Sequence, residues 1–328
     1  MTSLVITVII LALVFDFLNG IHDSSNIVAT MISSRAISPR TALGMTAVAE
    51  FCGPFIFGVA VATTIGSDLV DSHLINTKVL IAALVAAILW NLLTWYLGFP
   101  SSSSHALMGG FIGSVVMGAG FGAIKLAGLE KILIALFTSP FIGYLVGFLI
   151  TRLIFLLSWK ASPKINGFFK RGQVVTAIGL ALSHGANDAQ KSMGIITLAL
   201  VTGGFLKSFE VPVWVIVACA GMIALGTAVG GWKLIRTLGA KFYRIKPVDG
   251  FASQLTSATV ILTASLLGGP VSTTQVVSSA IMGVGAAERV NKVRWGVAKD
   301  IAVAWLLTIP ATALVGAGCY WLILKIIP

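Results

Sequence analysis

Apolar runs long enough to cross a bilayer as a helix, about 20 residues each, follow one another along nearly the whole chain. Inside two of them the same motif recurs. Gly20-Ile21-His22-Asp23-Ser24-Ser25-Asn26 in the first half matches Gly185-Ala186-Asn187-Asp188-Ala189-Gln190-Lys191 in the second. A carboxylate at membrane depth costs about 2.5–3.5 kcal/mol on insertion scales, so such a residue is by default a functional one. Two of them at matching places in a duplicated chain predict a single site built between two halves.

The charge content agrees with a membrane setting. Only 10% of the 328 residues are charged and 57% are hydrophobic, where a soluble domain carries roughly 25% charged residues. The apolar pattern is continuous, not alternating in roughly 10-residue units, which argues against an outer-membrane barrel. The run from Leu4 reads as a retained first helix, because no small-residue cleavage site follows it and Asp16, Asp23 and Arg35 come next. Cys52, Cys219 and Cys319 lie in apolar runs without metal-ligand spacing and read as small buried hydrophobes. The net charge of +11 is concentrated in loops: Arg152, Lys160, Lys164, Lys170 and Arg171; Lys233, Arg236, Lys241, Arg244 and Lys246; Arg289, Lys292, Arg294 and Lys299. That is how cytoplasmic loops are marked, not the footprint of a nucleic-acid partner.

Five apolar spans are predicted per half, near 4–34, 40–65, 77–98, 99–121 and 131–158, then near 173–203, 211–235, 250–268, 269–287 and 300–325. The two copies are expected over 1–160 and 173–328, joined by a basic cytoplasmic linker at 161–172. Loops that correspond in the two copies differ in positive charge: the loop at 66–78 is acidic while that at 233–249 is basic, and the nearly neutral 122–131 pairs with the basic 288–299. An odd number of crossings per copy produces this pattern. The expected fold is therefore an all-α integral membrane protein, an inverted-topology repeat of about ten spans with both termini outside. Such repeats, with broken helices at the midplane, are the design of many secondary transporters.

A second pair of motifs supports the duplication. Pro100-Ser101-Ser102-Ser103-Ser104-His105 aligns with Pro270-Val271-Ser272-Thr273-Thr274-Gln275, 77 residues after Asp23 and 82 after Asp188. Proline is favoured in a first helical turn, so Pro100 and Pro270 predict half-helices that start inside the membrane. Their free N–H groups and positive dipole ends make an anion site. The hydroxyls of Ser101, Ser102, Ser103 and Ser104, with Ser272, Thr273 and Thr274, can surround a tetrahedral oxyanion from two directions; the alternative is helix–helix packing. Asp23 and Asp188, helped by Asn26 and Asn187, offer hard oxygen ligands and are assigned to a small coupling cation. Glu50 has no acidic counterpart; the match of Gly53 with Gly221 pairs it with Ala218. It reads as a cation ligand or proton carrier, or as a buried partner for Lys191. Asp16 is either a site residue or a structural pair, and His22 and His105 read as hydrogen-bonded structural residues. No Walker sequence, zinc spacing or Gly-x-Ser-x-Gly elbow points to an enzyme.

Phe15 to Thr30, Gly185 to Gly194, and Gly269-Pro270-Val271-Ser272-Thr273-Thr274 resemble the signatures of the inorganic phosphate transporter family. The resemblance covers nearly the whole chain. It implies a secondary active transporter that imports inorganic phosphate by symport with Na+ or H+, multi-pass in the plasma or inner membrane, homodimeric, with no cofactor beyond Na+ as a coupling ion. It carries Asp23, Asn26, Asp188 and the hydroxyl clusters over as binding positions, with Glu50 matching a family glutamate. Two residues depart from the pattern. Lys191 stands where many sodium-coupled members have Asn, and can pair with phosphate or replace a cation near Asp188. Gln275 stands where many have His. Gln190 and Lys191 are placed with the anion, and Gln275 with the coupling cation. The family also contains sulfate carriers; a protonatable acceptor beside the anion would favour hydrogen phosphate. A passive anion channel is the alternative from another class. A sliding, elevator-like motion is preferred to rocking.

Overall fold

The computed structural model describes residues 3–34, 36–97, 101–230 and 245–326. Arg35, Pro100 and the basic run Lys233, Arg236, Lys241 and Arg244, all used in the sequence reading, lie outside them. The described residues form eleven α-helices and no strand beyond one isolated bridge, Val70 to Ile124. The first half holds α1 (Ser3–Ser33), α2 (Pro39–Phe57), α3 (Ala60–Thr63), α4 (Thr77–Leu97), α5 (Ser103–Ala119) and α6 (Leu126–Leu157). The second holds α7 (Ile165–Thr202), α8 (Val213–Val229), α9 (Pro247–Leu266), α10 (Thr273–Glu288) and α11 (Trp295–Ile326).

The order of elements repeats in detail. Glycines at positive φ, Gly58 and Gly230, end α2 and α8. Pro140 and Pro310 sit inside α6 and α11. Ser102 and Ser272 cap α5 and α10.

Among the described residues, four segments are long and apolar enough to traverse a membrane: α1, α4, α6 and residues 301–326 of α11. A fifth is α2 continued into Ala60–Asp68 across a 71° bend. The predicted spans at 99–121 and 269–287 hold the short helices α5 and α10. Helices α5 and α10 have 17 and 16 residues, about 25 Å each, less than a hydrocarbon core of about 30 Å. Helix α10 is almost wholly buried and α5 is buried from Ser103 to Phe111, so their polar N-termini lie inside protein, the condition for irregular backbone at membrane depth.

Lipid-facing residues distinguish the outer helices. Helix α6 exposes Phe141, Leu145, Leu149, Leu153 and Leu156, while its buried positions are small, Gly143, Gly147 and Thr151 among them. In an apolar solvent helices associate through close packing, not hydrophobic burial, and glycine permits that approach. A Cβ on Gly185 would lie 2.1 Å from Glu50 O, and one on Gly53 2.3 Å from Leu182 O. The same contact recurs between α1 and α8: Gly20 against Ile223 O at 2.3 Å and Gly226 against Phe17 O at 2.2 Å. The halves are thereby interlocked. Helix α7 packs on α2 and α1 on α8, while α6 lies along α10 and α11 along α5. The last helix of each half thus supports the half-helix of the other.

Candidate functional site

Helices α1 and α7 contact each other and bring the two motifs together. The carboxylates are fully or almost fully buried, Asp23 at 3% and Asp188 at 0% exposure. Asp23 Oδ1 accepts from Asn26 Nδ2 at 2.7 Å and from Thr274 Oγ1 at 2.8 Å. Its Oδ2 accepts from Thr273 Oγ1 at 3.1 Å. Asp188 Oδ1 accepts from Lys191 Nζ at 2.5 Å, and Oδ2 from Asn19 Nδ2 at 2.9 Å and Thr273 Oγ1 at 3.4 Å. Thr273 therefore bridges the two aspartates.

The half-helices meet at the same place. Ser102 Oγ accepts from His105 N at 3.1 Å, and Ser272 Oγ from Gln275 N at 3.3 Å. His105 and Gln275 are equivalent positions one turn into α5 and α10, and Gln275 Nε2 lies 3.3 Å from both ring nitrogens of His105. Two helix N-termini, each presenting unpaired N–H groups and a positive dipole end, thus converge beside the aspartates. Lys191 adds a full positive charge: its Nζ also donates to Ser104 Oγ at 2.5 Å and to Val271 O at 2.9 Å. Ser104 Oγ donates to Val271 O at 3.0 Å, tying the two hydroxyl motifs together.

Sequence reasoning missed His184. Its ring, 1% exposed, lies between three acids, with Nδ1 2.8 Å from Glu50 Oε1 and Nε2 3.2 Å from Asp188 Oδ2 and 3.6 Å from Asp23 Oδ2. A neutral imidazole donates from one nitrogen only, so this ring cannot donate to the acids on both sides at once unless it carries a second proton. One atom each from Asp23, His184 and Asp188 lies within 4.8 Å of the others, a grouping suited to a cation. A polar residue four places before the aspartate in both copies, Asn19 and His184, is the signal that marks it.

Residues 19–316 match the Phosphate transporter family. The chain belongs to the phosphate transporter family. A relative from Bacillus subtilis (strain 168), named "Probable low-affinity inorganic phosphate transporter", is 45% identical over 98% of this chain and 97% of its own length. One of the same name from Rhizobium meliloti (strain 1021) is 43% identical over 97% and 96%. The solved structure described as "The sodium-dependent phosphate transporter" superposes with a TM-score of 0.92 at 27% identity, covering all of both chains. Family membership and the apolar helices make this an integral membrane protein.

Against that membership, the expected residues fall into three groups. Asp23, Asn26, Asp188, Lys191, Ser104, Thr273, Thr274, Glu50 and Gln275 gather at the convergence. Ser101 and Ser103 flank it, Ser101 Oγ accepting from Trp90 Nε1 at 2.9 Å, with Ser103 7% exposed. Asn187 and Gln190 serve the scaffold instead. Asn187 donates to Ser265 Oγ and Gly269 O and accepts from Val271 N, holding the approach to α10. Gln190 does not join the anion side. Its Oε1 accepts from Val61 N and Ala62 N and its Nε2 donates to Gly58 O and Ala186 O, so the whole amide closes the α2–α3 break. Asp16 sits apart and accepts from Ser192 Oγ at 2.5 Å. The pairing of Glu50 with Ala218 is also corrected. Glu50 O packs on Gly185 as Ile223 O packs on Gly20, so Ile223 holds the matching place.

Proposed function

We propose that the chain is a secondary active transporter that imports inorganic phosphate together with a cation, Na+ or H+. The observation that carries this reading is the convergence of the Ser102- and Ser272-capped half-helices on a buried aspartate pair, at the Gln275–His105 contact. Helix N-termini and the Lys191 ammonium attract a tetrahedral oxyanion, while Asp23 and Asp188 repel it. A cation on Asp23 removes that repulsion. It also releases the Thr273 and Thr274 hydroxyls, which now donate to Asp23 and can rotate toward an anion. Each ligand therefore raises the affinity for the other, and by linkage the effect is reciprocal.

On the loop side, Lys170, Lys246, Arg289 and Lys292 line a cavity of about 1030 Å³ together with Glu288, which pairs with Lys246 and Lys292; the cations outnumber the acid, which favours anion passage. Buried amides and hydroxyls connect α1, α7 and α9 beside it: Gln254 Nε2 donates to Thr30 Oγ1, Thr176 Oγ1 to Gln254 Oε1, and Ser34 Oγ to Gln173 Oε1. We place the protein in the plasma or inner membrane as a homodimer, with the halves as inverted repeats. The half-helices carry the site past the outer helices in an elevator-like movement.

Radiolabelled phosphate uptake into proteoliposomes, under an imposed Na+ or pH gradient and with sulfate as competitor, tests the reading. Accumulation above equilibrium is the expected result. Flux that is passive and indifferent to both gradients would sink it and favour a channel.

A further inference from the structure

The two aspartate helices meet the two hydroxyl half-helices crosswise, and one pair of contacts recurs at both crossings. In one, Asn26 of α1 donates to Asp23 Oδ1 on its own helix at 2.7 Å and to Thr274 Oγ1 at 3.0 Å. In the other, Lys191 of α7 donates to Asp188 Oδ1 on its own helix at 2.5 Å and to Ser104 Oγ at 2.5 Å. Thr274 and Ser104 are each four residues past the proline of their motif, and Asn26 and Lys191 each three past the aspartate. The difference is one of charge. At the first crossing the residue is a neutral amide. At the second it is an ammonium, 1% exposed, and its three acceptors are a carboxylate, a hydroxyl and the Val271 carbonyl. Those are the hard oxygen ligands that suit a small metal cation, and carbonyl and carboxylate ligands of such ions stand about 2.3–2.6 Å away.

We propose that Lys191 is a tethered cation occupying the second of two equivalent cation positions, so that a mobile cation is needed only at the first, on Asp23. This rests on the transport reading above and deepens it by assigning the number of mobile cations to one residue. The charge consequence follows from conservation. The Lys191 ammonium travels with the site and returns with it, whereas a mobile ion is left behind inside. Replacing the tethered charge by a mobile one adds one positive charge to each turnover.

Hydration and size do not let a lysine-to-methionine change mimic this. Lys191→Met removes the charge and supplies no oxygen. Lys191→Asn removes the charge and sets at the second crossing the amide that stands at the first, whose oxygen faces a cation once the amide turns over. Asn26→Lys does the reverse, setting a second ammonium against Asp23.

The experiment is equilibrium binding of 22Na+ to the purified full chain in detergent, with inorganic phosphate present, for the wild type and the three variants. Thermal unfolding is followed alongside to confirm that each is folded. Lys191→Asn is expected to bind one more Na+ per chain than the wild type, and its unfolding temperature to rise further on adding Na+. Lys191→Met is expected to gain none, and Asn26→Lys to bind no Na+. Equal Na+ binding by folded wild type and Lys191→Asn overturns the proposal. A Lys191→Asn chain that folds in neither Na+ nor K+ overturns it too, since an oxygen-lined cation site should be rescued by its ion. If instead the wild type shows only passive phosphate flux in liposomes, the symport reading fails while the ion count still stands or falls on the binding data.

Discussion

Asp23 and Asp188 occupy matching places on α1 and α7, yet one is held by neutral donors and the other by a charge. Asn26, Thr273 and Thr274 surround Asp23; Lys191 sits on Asp188. The polar residues one turn earlier differ in the same sense, Asn19 reaching Asp188 and His184 lying between the acids. Beside the two acids, α7 thus supplies the basic groups His184 and Lys191 and α1 the amides Asn19 and Asn26, while α2 adds the acid Glu50. Duplication supplied the frame. Single differences within it leave one aspartate among neutral donors while the other is paired with an ammonium.

The widest separation between the copies should come from neutralising each aspartate. Asp188→Asn strands the buried Lys191 ammonium, and removing one partner of a buried pair costs about 3–5 kcal/mol. Asp23→Asn keeps donors around a neutral amide and should lose much less stability, while both abolish gradient-driven uptake. Unfolding in detergent, read beside uptake in liposomes, checks this; equal destabilisation would break the asymmetry.

Next in size is Glu50→Gln. It removes the acid whose Oε1 lies 2.8 Å from His184 Nδ1 and should cost about 2 kcal/mol, within the range for disturbing a buried polar group. It should also flatten the dependence of phosphate uptake on external pH. Ile223→Val at the matching place should leave that pH profile unchanged.

Glycine contacts probe what the copies share. Gly185→Ala and Gly20→Ala each drive a Cβ onto a backbone carbonyl, Glu50 O or Ile223 O, and overpacking of this kind costs about 1–3 kcal/mol. The two losses should be alike, and a large difference would show that α2–α7 and α1–α8 are not equivalent joints. The smallest effect is expected for Gln275→Ala, which removes the contact to His105. It should cost about 0.5–1.5 kcal/mol and weaken, without abolishing, gradient-driven phosphate uptake.

Much of this was legible in the residues. A carboxylate in an apolar run is too costly to be incidental, so Asp23, Asp188 and Glu50 declared themselves. Matching spacing also marked the hydroxyl motifs as partners, and all these residues gather at one place. Other features were not legible. Gln190 lies one residue from Lys191, but their side chains project from different faces of α7, one toward the α2–α3 break and one toward Ser104. The relation of Glu50 to Ile223 depends on which carbonyl packs on which glycine, and gapped alignment of apolar helices does not resolve that. Hydropathy alone does not separate α5 and α10 from full spans, because a helix buried in protein is as apolar as one bathed in lipid; their length does.

Sequence alone determined that the chain is a helical membrane protein, that it carries two copies of one motif pair, and which acids matter, because apolar length and the cost of buried charge are local properties. Tertiary structure decided which copy's hydroxyls serve which copy's aspartate, that His184 lies between Asp23, Asp188 and Glu50, and that the Lys191 ammonium is already spent on Asp188, Ser104 and Val271. Apart from the Lys191–Asp188 and His184–Asp188 pairs, which lie within one helical turn, those outcomes depend on contacts between residues at least 80 positions apart, which helix packing brings together and sequence spacing does not encode.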